Sequence, residues 1–172
     1  MPDRIDLIEP QIPALRRFAW ALCRDHHAAE DLVQDCLERA LSRWVMRRPG
    51  GSTRAWLFAI LHNSFVSGKR QAAGRGAHRS LDEQDEDLGT PAAQEGVIAL
   101  HNLQVALNAL PEEQRTVLLL IGVEDMSYAE AAHVLDIPIG TVMSRLSRGR
   151  ERLRLLMNGE RPAAVPILRR VK

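Results

Sequence analysis

Between Ser80 and Gly96 the chain carries six acidic side chains (Asp82, Glu83, Asp85, Glu86, Asp87 and Glu95) and no Lys or Arg, with Gly89, Thr90 and Pro91 among them. A run of like charge broken by Gly and Pro has no apolar face to bury, so it reads as a solvated, flexible linker. On both sides of it apolar residues recur at helical spacing, and no stretch alternates as a strand would. The 172 residues are therefore expected to form an all-α chain of two small helical domains. The boundaries expected are residues 1–79 and 96–158, a linker at 80–95 and a loose tail at 159–172 containing Pro162 and Pro166. Aromatic usage supports two cores of different make-up: Phe18, Trp20, Trp44, Trp56, Phe58 and Phe65 precede residue 66, and only Tyr128 follows.

Residues 11–23 and 28–45 have the pattern of two amphipathic helices separated by Arg24, Asp25, His26 and His27. Pro49, Gly50 and Gly51 then break the chain, and Ser52 or Thr53 can cap a third helix from about Arg54. That helix is expected to fray around Gly68 and to enter a basic stretch with Lys69, Arg70, Arg75 and Arg79. Helices resume at Val97–Leu110 and after Pro111.

Several function classes are disfavoured. The 45% hydrophobic fraction is that of a globular chain. No apolar run approaches the ~20 residues of a membrane span, and the N-terminus lacks the basic start and apolar stretch of a signal peptide. The two cysteines, Cys23 and Cys36, each lie in a helical pattern and fit two buried thiols in a reducing cytoplasm better than a disulfide. Cys23, His26, His27 and Cys36 could be imagined around a metal, but adjacent histidines at a helix end point apart, whereas tetrahedral zinc needs converging ligands. His62, His101 and His133 have no nucleophile beside them in the pattern, so neither a catalytic site nor a cofactor is expected.

Charge is balanced overall, 23 Lys+Arg against 22 Asp+Glu, yet the segment Gly140–Arg154 holds five arginines and one glutamate. "SYAE" at 127–130 is a capping box, with Ser127 and Glu130 exchanging hydrogen bonds at a helix start. The small Ala129, Ala131 and Ala132 let another helix approach. Asp136 tolerates a left-handed turn in "DIPIG", and Thr141 can cap the next helix. On that helix Val142, Leu146, Gly149, Leu153 and Leu156 share one stripe. Ser144 and Ser147 lie opposite, flanked by Met143, Arg148 and Arg154. Small hydroxyls between guanidinium groups on the second helix of a helix-turn-helix suit entry into the DNA major groove. Arg145 and Arg152 lie nearer the buried edge, where phosphate is the closer target.

"GTVMSRLSRGRERLR", preceded by "ALNALPEEQRTVLLL" and "SYAEAAHVLDIP", resembles the fourth conserved region of bacterial sigma factors. "AEDLVQDCLERALSRW" and "RAWLFAILHNSFVSGKRQ" resemble the second conserved region of the extracytoplasmic-function (ECF) group, and together the likeness spans about residues 10–157. It implies a protein that binds core RNA polymerase and promoter DNA, is held by an anti-sigma factor, inserts in no membrane and does no chemistry of its own. On the helix from Ala28 to Trp44, Asp31, Gln34, Asp35 and Glu38 share the face opposite the apolar stripe. Alone that face reads as solvated; the resemblance assigns Asp31, Gln34 and Asp35, with Arg39 at its edge, to polymerase binding. It assigns Asn63, Ser67, Lys69 and Arg70, with the loop that follows, to the minus-ten element; Trp56, on the same stripe of the helix, reads as core rather than as a stacking platform. Thr141, Met143, Ser144, Arg145, Ser147, Arg148 and Arg152 fall to the minus-thirty-five element. Ser67 stands where the family usually has Asp or Asn, Gln71 where it has a second basic residue, and Met143 where Lys or Arg is frequent.

Two other readings use parts of the same pattern. An autonomous helix-turn-helix regulator would explain residues 127–157 but leave the N-terminal motifs idle, and it would dimerise for symmetric sites. A sigma-like decoy for an anti-sigma partner would fit the departures at Ser67 and Gln71.

Overall fold

The computed structural model describes residues 3–48, 50–74 and 94–160, and every regular element among them is helical. The first half contains α1 (Arg4–Ile8), a 3-10 turn at Glu9–Gln11, α2 (Ile12–Cys23), α3 (His26–Ser42), a 3-10 turn at Trp44–Met46 and α4 (Thr53–Gly74). The second contains α5 (Gln94–Asn108), α6 (Glu112–Gly122), α7 (Tyr128–Leu135) and α8 (Ile139–Met157).

Local chemistry sets the boundaries. Arg24 ends α2 in a left-handed conformation (φ 54°), and Asp25 caps α3 by accepting from the Ala28 amide at 2.7 Å. The histidines His26 and His27 thus open α3 instead of joining the turn. Ser52 caps α4, accepting from the Ala55 amide at 3.2 Å. The expected fraying at Gly68 does not occur. Gly68 lies on an exposed face with nothing near its missing side chain, so it costs only the ~1 kcal/mol of an interior helical glycine, and α4 continues to Gly74. The basic positions Arg75 and Arg79, most of the acidic linker and residues 161–172 of the tail lie outside the described residues; α5 begins at Gln94, inside the expected linker.

In the first half α2, α3 and α4 pack on one another through Leu15, Phe18, Ala19, Val33, Cys36, Ala40, Leu57, Phe58 and Leu61, all buried. Phe18 and Phe58 meet with ring centroids 5.2 Å apart. Trp56 is half-buried, edge-on to Trp44 at 5.8 Å, in keeping with a core role. Cys36 donates to the Leu57 carbonyl at 3.4 Å, and burial pushes its thiol up to about 12, which keeps it neutral and unreactive. Cys23 is only half-buried, contrary to expectation, because it sits at the end of α2.

In the second half α8 is held by α5, α6 and α7, around Val117, Leu120, Val134, Val142 and Leu146. Gly149 sets how closely α6 and α8 approach. A Cβ there would lie 3.0 Å from Leu118 Cδ1 and 3.3 Å from Gln114 Cβ. Gly149→Val should therefore destabilise by about 2 kcal/mol or more, whereas Gly68→Ala, in open space, should stabilise by up to ~1 kcal/mol. Thermal melts of the two variants should move in opposite directions.

The expectation of two separate cores is corrected. Buried residues of both halves, from Ile8 to Leu146, form one contiguous cluster, because α4 packs directly against α7. The aromatic asymmetry reflects what each half uses to fill space, not a division between cores. Polar contacts reinforce the junction. Glu124, in the α6–α7 connection with a side chain 1% exposed, accepts from Arg17 Nη2 at 3.1 Å and Arg54 Nη2 at 2.7 Å. Arg54 also donates to the Glu124 carbonyl at 2.9 Å and to Gln11 at 3.1 Å. Arg24 donates to the Asn108 carbonyl at 2.9 Å, and Lys69 pairs with Glu112.

Candidate functional site

The helix-turn-helix forms as its residues dictate. The Glu130 amide donates to Ser127 Oγ at 3.2 Å, and the Glu130 carboxylate accepts from the Ser127 amide at 3.0 Å and the Ser127 hydroxyl at 2.9 Å, two bonds that hold the carboxyl below its ordinary pKa. Asp136 closes α7 in the left-handed region (φ 52°). Thr141 does not cap α8. The helix starts three residues earlier, behind Pro138, because proline pre-sets the entry and its carbonyl accepts from the Thr141 and Val142 amides. Thr141 lies half-buried in the first turn.

Val142, Leu146 and Gly149 face inward, and Met143, Ser144, Ser147, Arg148, Arg150 and Arg154 are exposed. Met143, Ser147 and Arg150 line a shallow groove with Tyr128, which adds Arg150 and Tyr128 to the face; sequence spacing alone had placed neither. Arg148 is folded back along its own helix, donating to the Ser144 carbonyl at 3.2 Å. Arg145 and Arg152 are half-buried. Arg145 is held by Glu113 at 3.0 Å, and Arg152 has a buried Nε with no protein partner.

In the first half, Asp31, Gln34, Asp35, Glu38 and Arg39 are all exposed along α3. Gln34 donates to Glu38 at 3.1 Å, and Arg39 reaches across to Ser64 Oγ at 3.0 Å, so Arg39 is tied to α4 at the edge of this face. Asn63, Ser67, Lys69 and Arg70 form an exposed polar strip on α4. His62, beside the strip, is largely buried, and burial pushes its imidazole down while Glu112 opposes the shift.

Sequence reasoning missed the α3–α4 connection. Val45 and Met46 there are 95% and 81% exposed, with Arg43 and Arg48 exposed beside them and Arg47 stacked on Trp44 at 4.8 Å. The signal was legible as "RWVMRR", three apolar residues between arginines just before a proline. His26 and His27 lie 6.5 Å apart, edge to face, and among the described residues no group of three His, Cys, Asp or Glu side chains converges on a metal position. No helix among them is long and apolar enough to cross a membrane.

Residues 8–62 match the family described as the Sigma2 domain of PhyR, and residues 100–153 match Sigma-70, region 4. The chain is 35% identical over 156 residues to the ECF RNA polymerase sigma factor EcfG of Rhodopseudomonas palustris, covering 88% of this chain and 83% of that one. The chain belongs to the ECF sigma factors. This sigma factor binds core RNA polymerase and promoter DNA and directs transcription initiation. Its fold is that of the sigma factor RpoE solved in complex with the anti-sigma factor NepR from Bartonella quintana, at 35% identity and a TM-score of 0.74, covering 91% of this sigma factor and 99% of RpoE. It is also similar to CnrH, solved with the cytosolic domain of CnrY, at 25% identity and a TM-score of 0.67, covering 89% and 86%.

Proposed function

We propose that residues 1–79 form the polymerase-binding and minus-ten-binding domain and residues 96–158 the minus-thirty-five-binding domain. The exposed face of α3, with Asp31, Gln34 and Asp35 and with Arg39 at its edge, docks on core polymerase. Asn63, Ser67, Lys69 and Arg70 of α4 handle the minus-ten element. The exposed apolar and basic side chains of the α3–α4 connection are suited to stack on and neutralise an opened strand. On α8, Met143, Ser144, Ser147 and Arg148 meet base edges, and Arg145 and Arg152 meet phosphate, with Thr141 at the entrance. The chain contributes recognition and no chemistry of its own. An anti-sigma factor is its partner between rounds, as suits a chain with 35% identity to a protein solved with one.

The observation that carries the reading is the face of α8: serines and arginines left exposed by a helix whose other side is fully occupied by α5, α6 and α7. The closed arrangement cannot serve both DNA elements at once. Elements about 25 base pairs apart are separated by roughly 80 Å of duplex. Helices α4, α7 and α8 pack in succession, and packed axes lie ~8–10 Å apart, which puts the two readers within about 20 Å. The halves therefore separate when the holoenzyme forms.

Holoenzyme binding to matched and mutated promoters across a salt series tests the assignment. Arg148→Ala should relax preference within the minus-thirty-five element by about 1–3 kcal/mol. Arg152→Ala should weaken all sequences evenly and make the salt dependence shallower by about one unit. A change of preferred sequence with Arg152→Ala and none with Arg148→Ala would mean the wrong face of α8 has been assigned to the bases.

A further inference from the structure

Along α8, Met143, Ser147 and Arg150 follow one another at spacings of four and three, so they form one line down the exposed side of the helix. Tyr128, the first residue of α7, stands beside that line, and Leu146 and Glu151 complete the shallow groove. The charged neighbours are engaged on their own helix: Arg148 donates to the Ser144 carbonyl at 3.2 Å, and Arg154 donates to Glu151 at 2.8 Å. Met143 offers something different. It is apolar, 51% exposed and close to the start of α8 at Ile139, the end of a recognition helix that reaches base edges. We propose that Met143 reads the 5-methyl group of a thymine in the minus-thirty-five element, so that one position of the site is specified by an apolar contact.

The chemistry of the four bases leaves little alternative for such a side chain. A thioether donates no hydrogen bond and accepts only weakly. Of the groups that the bases expose in the major groove, the thymine methyl is the apolar one, while guanine, adenine and cytosine present donors and acceptors. Covering those polar edges with Met143 would remove them from water with no partner in exchange, which is costly. Covering a methyl instead removes two apolar surfaces from water together. The half-exposed Tyr128 ring forms the other wall of the groove and limits where the thioether can go. Preference for thymine at this position thus combines a gain from the methyl with a penalty against the other bases.

The inference rests on the assignment of this face of α8 to bases, and the test separates the two. Holoenzyme is titrated with the minus-thirty-five element that wild type prefers, each thymine of either strand being replaced in turn by uracil. The replacement removes one methyl and keeps the base pairing. Wild type should lose about fourfold in affinity at one position, the equivalent of one buried methyl, and little at the others. Met143→Leu, still apolar, should keep that loss. Met143→Ala and Met143→Gln, the second similar in length but polar, should bind the thymine and uracil forms of that position equally. Met143 is exposed, so all three variants should fold, as circular dichroism would verify. Indifference of wild type to every methyl, or the same loss in Met143→Gln as in wild type, would overturn the proposal. If Arg148→Ala still relaxes the minus-thirty-five preference in that case, only the role of Met143 fails. If Arg148→Ala also leaves the preference unchanged, the assignment of this face to bases fails and the thymine contact with it.

Discussion

Glu124→Ala should open the molecule. It removes a carboxylate, 1% exposed, that joins Arg17 and Arg54 of the first half to the α6–α7 connection of the second. Hydrogen bonds to charged groups contribute ~1.5–3 kcal/mol each. Arg17 and Arg54 are themselves 58% and 33% exposed, so solvent recovers part of the loss, and a net cost of about 2 kcal/mol is expected. That is roughly a 30-fold shift towards the open form. Arg54 keeps its bonds to Gln11 and to the residue-124 carbonyl, so the first half should stay folded. Small-angle scattering should report a larger radius of gyration for the variant, with helical content unchanged by circular dichroism. Glu124→Gln, which retains the acceptor but not the charge, should fall between. Superimposable scattering curves for Glu124→Ala and wild type would show that the apolar α4–α7 contact holds the halves without help from this clasp.

The second large effect is expected on α3. Asp35→Arg combined with Gln34→Ala reverses a charge on a face whose side chains are all exposed, so it should leave the fold intact and weaken core-polymerase binding by several kcal/mol. Pull-down of core polymerase by the double variant at wild-type efficiency would remove this face from the interface.

Most of the fold was legible because its signals are local. The Ser127–Glu130 capping box, the left-handed Asp136 and the Val142, Leu146 and Gly149 stripe depend on neighbours three or four residues apart, and all appear as read. The errors arose where local signals compete. Thr141 is a good cap in isolation, but Pro138 starts the helix first. Gly68 looks like a break, but an exposed glycine inside a long helix costs too little to end it. What the sequence could not disclose is long-range: that Glu124 answers to Arg17 and Arg54, or that Glu112 and Glu113 each take a cation from a different helix. Nothing in the spacing of "LPEEQR" distinguishes an acid pair that favours a helix start from one that also spans two surfaces. The candidate DNA face on α8 was readable from charge and period. The acidic face of α3 was not, since a solvated face and a docking face have the same composition.

Run-off transcription with purified core polymerase on a promoter library tests the central claim most directly. Wild-type chain should direct transcripts from a restricted set of templates sharing one minus-ten and one minus-thirty-five sequence. Arg148→Ala should broaden the minus-thirty-five preference of that set, and Asp35→Arg with Gln34→Ala should abolish the transcripts. If the chain yields no promoter-specific transcript with any template, yet captures an anti-sigma factor and frees another sigma factor from it, then it is a decoy built on a sigma-factor fold, and the account given for its DNA-reading faces is wrong.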